Sequence, residues 1–156
     1  MNQIAIIRVR GSAEQKRVIN DTFKILRLFK KNHCVVIPNT PAYLGMIKKV
    51  KDHATWGEVD EGTLKSLLLK RGKLPGKKNL TEEYIKEKTN MSPDEFVKAV
   101  FAGKKKLKDI PGLRTFFKLN PPVHGFERKG IKKPFSLGGA LGYRKDKIKD
   151  LIVRMI

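Results

Sequence analysis

Thr40-Pro41-Ala42-Tyr43-Leu44-Gly45-Met46-Ile47-Lys48-Lys49-Val50 joins a helix start, an apolar stripe and a basic face in one short stretch. Thr40 is suited to accept a hydrogen bond as N-cap and Pro41 to occupy the first helical position. Tyr43, Met46, Ile47 and Val50 then recur at helical spacing on one side. Lys48, Lys49 and Lys51 fall off that stripe, toward solvent or phosphate. A helix N-terminus followed by lysines is one ordinary way to hold a phosphate backbone, although any soluble amphipathic helix shows the same pattern.

The segments on either side set the fold class. Before the helix, His33 to Ile37 reads as a buried strand closed by Pro38; after it, residues 54 to 59 read as another. Ile4 to Val9 is a third β-branched run, stopped by Gly11. Between that run and His33, Ser12 and Gln15 have capping-box spacing, and Val18, Ile19, Thr22, Phe23, Leu26 and Phe29 share a helical face. The spacing predicts a helix of about four to five turns starting at Ser12. Residues 1 to 60 therefore read strand, helix, strand, helix, strand, with both helices on one side of the sheet because each has a single apolar stripe. The other sheet face is left for the later chain or for a polyanion.

From residue 61 the pattern turns helical. Leu64, Leu67 and Leu68 lead to Gly72 at a C-cap position, Thr81 to Lys88 forms a short helix, and Ser92-Pro93-Asp94-Glu95 is a capping box leading into Phe96, Val97, Val100 and Phe101. Residues 61 to 103 are expected to be a helical insertion of structural purpose. Leu113 to Leu119 regains strand character before Pro121-Pro122, the stretch from 122 to 144 reads as an extended basic loop, and Asp146 can cap a final helix carrying Ile148, Leu151, Ile152 and Met155. The expected division is thus a docking core at 1–60, the insertion at 61–103, and a returning strand, basic loop and terminal helix at 104–156.

Charge points to the partner. The 156 residues hold 35 Lys plus Arg against 15 Asp plus Glu, a formal charge of +20. Residues 104–156 carry 15 basic and 4 acidic side chains, so the excess concentrates there. A polyanion is the economical counter-charge, whether RNA, DNA or anionic lipid. Lipid is the weakest of the three, since no apolar run reaches about 18 residues and the opening segment is too short for a signal peptide, which predicts an intracellular, cytoplasmic protein. Candidate contacts are Thr40, Lys48, Lys49 and Lys51 on the helix, Lys104, Lys105 and Lys106 after the insertion, and Arg128, Lys129, Lys132, Lys133, Arg144 and Lys145 in the C-terminal third. In the loop these cations alternate with Phe126, Phe135 and Tyr143, which allows base stacking beside phosphate contact.

Catalytic signals are absent. His33, His53 and His124 are isolated, Cys34 is the single cysteine, and neither a metal-ligand spacing nor a nucleophile motif occurs. The Gly125–Gly130 spacing lacks the Lys and Ser or Thr of a phosphate loop, and Gly138, Gly139 and Gly142 are read as places where backbone passes close to something. No enzyme, cofactor, metal or small-molecule substrate is expected, and Cys34 is expected to be a buried apolar group.

With these residues in view, the chain resembles the large-subunit ribosomal protein family numbered thirty, whose eukaryotic relatives are numbered seven. The Thr40 to Ile47 run with Lys49-Val50 resembles that family's second-helix motif. Phe117-Lys118-Leu119-Asn120-Pro121-Pro122, Lys133-Pro134 and the Gly138, Gly139, Gly142 spacing resemble the C-terminal extension of its archaeal branch. The bacterial form resembles residues 1 to 60 alone. The resemblance implies an α+β fold, a ferredoxin-like half with a helical insertion and a basic extended C-terminal segment. It also implies a non-catalytic structural constituent of the large subunit that binds ribosomal RNA beside neighbouring ribosomal proteins. A free-standing RNA-binding module is the alternative reading.

Overall fold

The structure, a computed structural model, describes residues 3–13 and 15–156. Three strands form its centre: β1 (Gln3–Arg8), β2 (His33–Pro38) and β3 (Ala54–Val59). β1 lies in the middle and is antiparallel to both neighbours, with Ile6 opposite Val35 on one side and Trp56 on the other. β2 and β3 consequently run the same way, and the α2 helix (Pro41–Lys49) is the crossover that joins them around β1. Two short edge strands complete the order β4-β2-β1-β3-β5: β4 (Phe117–Lys118) pairs antiparallel with β2, and β5 (Gly142–Tyr143) pairs parallel with β3. The sheet is mixed and the fold is α+β, as the strand-helix alternation and the family resemblance predict.

β1 is buried at every position, which is why it reads as a continuous apolar run rather than an alternation. Ile4, Ile6, Val35, Ile37 and Ala54 point to one face, where Phe23 and Leu26 from α1 (Arg17–Ile25) and its end join Ile47 and Val50 from α2 and its end. α1 is shorter than its sequence pattern predicts. It begins after Lys16, with no side-chain cap, because the Gln15 amide is engaged by Arg8 and Gly11 instead of closing a box with Ser12. It ends at Leu26, since Arg27 turns to φ 59° and reverses the chain. The predicted stripe therefore splits: Thr22, Phe23 and Leu26 are buried, whereas Val18 and Phe29 are exposed and Leu28 packs inside.

The opposite sheet face, left open between later chain and polyanion, is covered by later chain. Ala5, Ile7, Cys34, Val36 and Val59 form one cluster with Leu64, Leu67 and Leu68 of α3 (Glu61–Arg71), Phe96, Val97 and Val100 of α5 (Pro93–Phe101), and Ile148, Leu151, Ile152 and Met155 of α6 (Ile148–Met155). Ile85 of α4 (Glu82–Thr89) joins the same cluster. Truncating a fully buried member such as Phe96 to Ala is worth about 3–5 kcal/mol. Local signals agree with the packing: Asp60 and Thr81 accept from the Thr63 and Tyr84 N–H groups, and Ser92 and Glu95 close a reciprocal capping box. Gly57 allows α6 its close approach, for a methyl there would meet the Lys145 carbonyl and lie 2.9 Å from Ile148.

The predicted strand at 113–119 shrinks to Phe117–Lys118, which pairs with Cys34 and His33 of β2. α6 is preceded by a 3₁₀ turn at Lys145–Lys147 and starts without a side-chain cap, so Asp146 does not cap it. Residues 122–144 contain little regular structure beyond a 3₁₀ turn at Phe135–Leu137 and β5.

Candidate nucleic-acid interface

On α2, Tyr43 N–H donates to Thr40 Oγ1 at 3.5 Å and Leu44 N–H to the Thr40 carbonyl. Pro41 has no N–H, so the first turn keeps little donor capacity for an outside phosphate, and Thr40 itself is half-buried as a cap. What α2 presents is charge: Ile47 and Val50 turn to the core, Tyr43 and Met46 are half-buried, and Lys48, Lys49 and Lys51 stand in solvent. The helix therefore offers a basic face rather than an amide cradle.

The C-terminal loop is held from within. Gly130 N–H donates to the Glu127 carbonyl, Ala140 N–H to the Gly130 carbonyl and Leu141 N–H to the Lys133 carbonyl. Gly139 sits against the Lys133 backbone where any Cβ would collide, which accounts for one of the three glycines read as close-approach sites. Arg128, Lys129, Lys132, Lys133 and Lys145 project from this scaffold into solvent. Arg144 does not. It is 2 % exposed, stacks on Phe135, and donates to Thr55 Oγ1, to the Ala140 carbonyl and to both Glu127 oxygens. Its assignment as a surface contact is corrected: sequence reading counts its charge but cannot see the carboxylate 17 residues earlier that folding brings to it.

Arg8 is the second arginine withdrawn from the surface, donating to the Leu28 and Phe29 carbonyls and lying over the Phe23 ring. Burial lowers its pKa from the ordinary value. The other candidates are a different population. Among the described residues, Lys48, Lys49, Lys51, Lys104, Lys105, Lys106, Arg128, Lys129, Lys132, Lys133 and Lys145 make no ion pair within 4.0 Å, so their charge has no internal partner.

An aromatic element accompanies the cations. Tyr143 and Trp56 are paired across β5 and β3 with ring centroids 6.4 Å apart, and Tyr143 is 46 % exposed. The Tyr143 hydroxyl donates to Glu58; that bond and partial burial push the phenol up to about 12 and fix the ring. Lys147, which sequence reading omitted, lies 5.9 Å over Phe135. Its signal was available in the run of alternate lysines at 145, 147 and 149, but the proximity to Phe135 is purely tertiary.

No group of three His, Cys, Asp or Glu side chains is arranged to hold a metal among the described residues. Burial lowers the pKa of both His33 and His53, keeping the imidazoles neutral, and burial pushes the Cys34 thiol up to about 12. Among the described residues, no helix is long and apolar enough to cross a membrane.

The family described as Ribosomal protein L30p/L7e matches residues 4–53, which span β1 to the end of α2. The chain is 53 % identical over 152 residues to the large ribosomal subunit protein uL30 of Methanococcus maripaludis, covering 97 % of this chain and 98 % of that protein. It is 52 % identical to the protein of the same name from Nanoarchaeum equitans, covering 97 % of each, and 50 % identical over 149 residues to that from Methanopyrus kandleri. Near-complete coverage at such identity shows the family, and the chain belongs to the L30p/L7e family of ribosomal proteins in its archaeal, uL30 form.

Proposed function

We propose that this protein is a non-catalytic structural constituent of the large ribosomal subunit, in the cytoplasm, where it binds and stabilises ribosomal RNA beside neighbouring ribosomal proteins. The observation that carries the reading is the set of exposed lysines and arginines without internal acidic partners. Such charge self-repels in isolation, and a phosphate backbone neutralises it with release of counterions. The α2 lysines and the 128–133 segment with Lys145 are the phosphate-contacting groups of this account. Tyr143, braced by Glu58 and beside Trp56, is its stacking surface for an unpaired base. Double-helical RNA hides its base edges, so a rigid basic surface that reads shape and backbone suits such a partner. The names of the uL30 relatives point the same way.

Sedimentation tests the assignment. Tagged protein expressed in an archaeal host is expected to travel with large subunits at moderate salt and to leave them at high salt. Protein found free at moderate salt, with vacant subunits available, contradicts it.

A further inference from the structure

Lys118 of β4, His33 of β2, Arg8 of β1 and Ala54 of β3 lie side by side at one end of the sheet. Three rings meet there. Phe116 stacks on His33, with centroids 5.0 Å apart and planes 18° from parallel. Phe29 stands nearly perpendicular to both, 5.6 Å from Phe116 and 6.5 Å from His33. His33 is buried and Phe116 half-buried, whereas Phe29 is 49 % exposed, so two inner rings brace an outer one that solvent still reaches. The backbone is held as well, since Leu28 is fully buried and Arg8 donates to the Phe29 carbonyl.

The charge around these rings has one sign. Lys30, Lys31 and Lys118 are exposed and make no ion pair within 4.0 Å among the described residues. Arg27, also exposed, donates to the neutral Thr115 Oγ1 and ties the end of α1 to the segment before β4. No Asp or Glu occurs from Thr22 to Lys51 or from Ile110 to Phe126, the two segments that supply every one of these rings and cations. Burial, then the charges of Lys118, Lys30 and Arg8, hold the His33 imidazole neutral.

We propose that this cluster is a stacking platform for an unpaired RNA base, with the base on Phe29 and its flanking phosphates on Lys30, Lys31 and Lys118. The inference rests on the RNA-binding reading above and adds a base contact at the sheet edge opposite Tyr143. A ring already braced by two others loses little freedom when a base settles on it, and every base offers a π-face to stack. An apolar protein segment also covers a ring but leaves the lysines without counter-charge, whereas a nucleotide supplies ring and phosphate together. The platform continues the surface of α2: β3 begins at Ala54 just after that helix ends, which brings Lys49 and Lys51 to the same end of the sheet.

The test titrates the full chain with oligoadenylate and with an abasic ribose-phosphate oligomer of the same length, followed by NMR. In the wild type, oligoadenylate is expected to move the Phe29 ring protons upfield, and the abasic oligomer is not. Phe29→Leu, read at the Lys118 amide, is expected to weaken oligoadenylate by about tenfold and to leave the abasic oligomer unchanged, while Phe29→Trp binds at least as well as wild type. If the melting temperature of Phe29→Leu falls, the wild-type ring shifts and the Phe29→Trp affinity decide. No upfield shift, an equal loss for the abasic oligomer, or a Phe29→Trp variant no better than Phe29→Leu overturns the proposal. Full affinity in Phe29→Leu also overturns it and marks the surface as one for an apolar protein segment. Binding of a large-subunit RNA fragment is measured alongside: if wild type binds it while the Phe29 shift is missing, the platform alone fails, and if that binding is missing too, the RNA reading fails with it.

Discussion

Arg144 Nη2 donates to Glu127 Oε2 at 2.6 Å, with the arginine side chain almost fully buried and the glutamate largely so. This pair closes residues 127–144 into a loop whose outer side carries the lysines and whose inner side packs Ala140 and Leu141 against Val9. Arg154 approaches the same carboxylate at 3.6 Å and links the loop to α6. Glu127→Ala leaves the Arg144 guanidinium buried without its counter-ion, a change expected to cost about 3–5 kcal/mol in urea denaturation. A loss within experimental scatter contradicts the idea that the pair holds the loop.

The same pair makes stability depend on acid. Burial pushes the Glu127 carboxyl up, but the hydrogen bonds and charge of Arg144, with Arg154, outweigh it and hold the group below its ordinary 4.5. A carboxylate with a depressed folded pKa contributes stability that is complete above 4.5 and is lost as pH falls through the folded value. Melting temperature is expected to drop as pH falls below the ordinary 4.5, and Glu127→Gln should show a shallower drop from a lower starting point. Parallel curves for the two proteins contradict this assignment.

Gly57 makes a sharper packing prediction. Its missing side chain lets the Lys145–Lys147 turn and Ile148 sit against β3, so Gly57→Ala forces that junction outward. The expected cost is about 1–3 kcal/mol, with raised hydrogen exchange in α6 rather than in α1. Unchanged exchange in α6 rules out the close approach as its cause.

Cys34 tests burial of the face opposite α1 and α2. With its thiol inside the sheet core and raised to about 12, iodoacetamide is expected to leave the native protein unmodified at neutral pH and to label it fully in denaturant. Labelling of the native form at the rate of a free thiol argues against the packing of α3, α5 and α6 on that face.

Which parts were legible in the sequence follows from which interactions are local. β1, β2, β3 and α2 announce themselves through runs and spacing a few residues long, and the Thr40, Asp60, Thr81 and Ser92 caps act within one turn. α1 was read too long because Gln15, a good capping-box residue by spacing, is captured by Arg8 from β1. The exposed lysines of α2 were visible as the complement of its apolar stripe. Arg144 was not, since from sequence a buried arginine and a phosphate-seeking one look alike until Glu127 is placed beside it.

Lys132 and Lys133 separate charge from fold. Both side chains project from a loop pinned through backbone bonds and Gly139, so the double alanine variant is expected to melt like wild type. If each lysine neutralises one phosphate, the slope of log affinity against log salt falls by about 1.4–1.8. A lower melting temperature with an unchanged slope would make these lysines structural.

The most direct measurement is the salt dependence of binding to a large-subunit ribosomal RNA fragment by the purified chain. With about 6–10 phosphates neutralised by the unpaired cations, affinity is expected to fall by roughly 10³- to 10⁵-fold between about 50 and about 200 mM salt. Affinity that stays flat across that range, or no binding at its low end, contradicts the account.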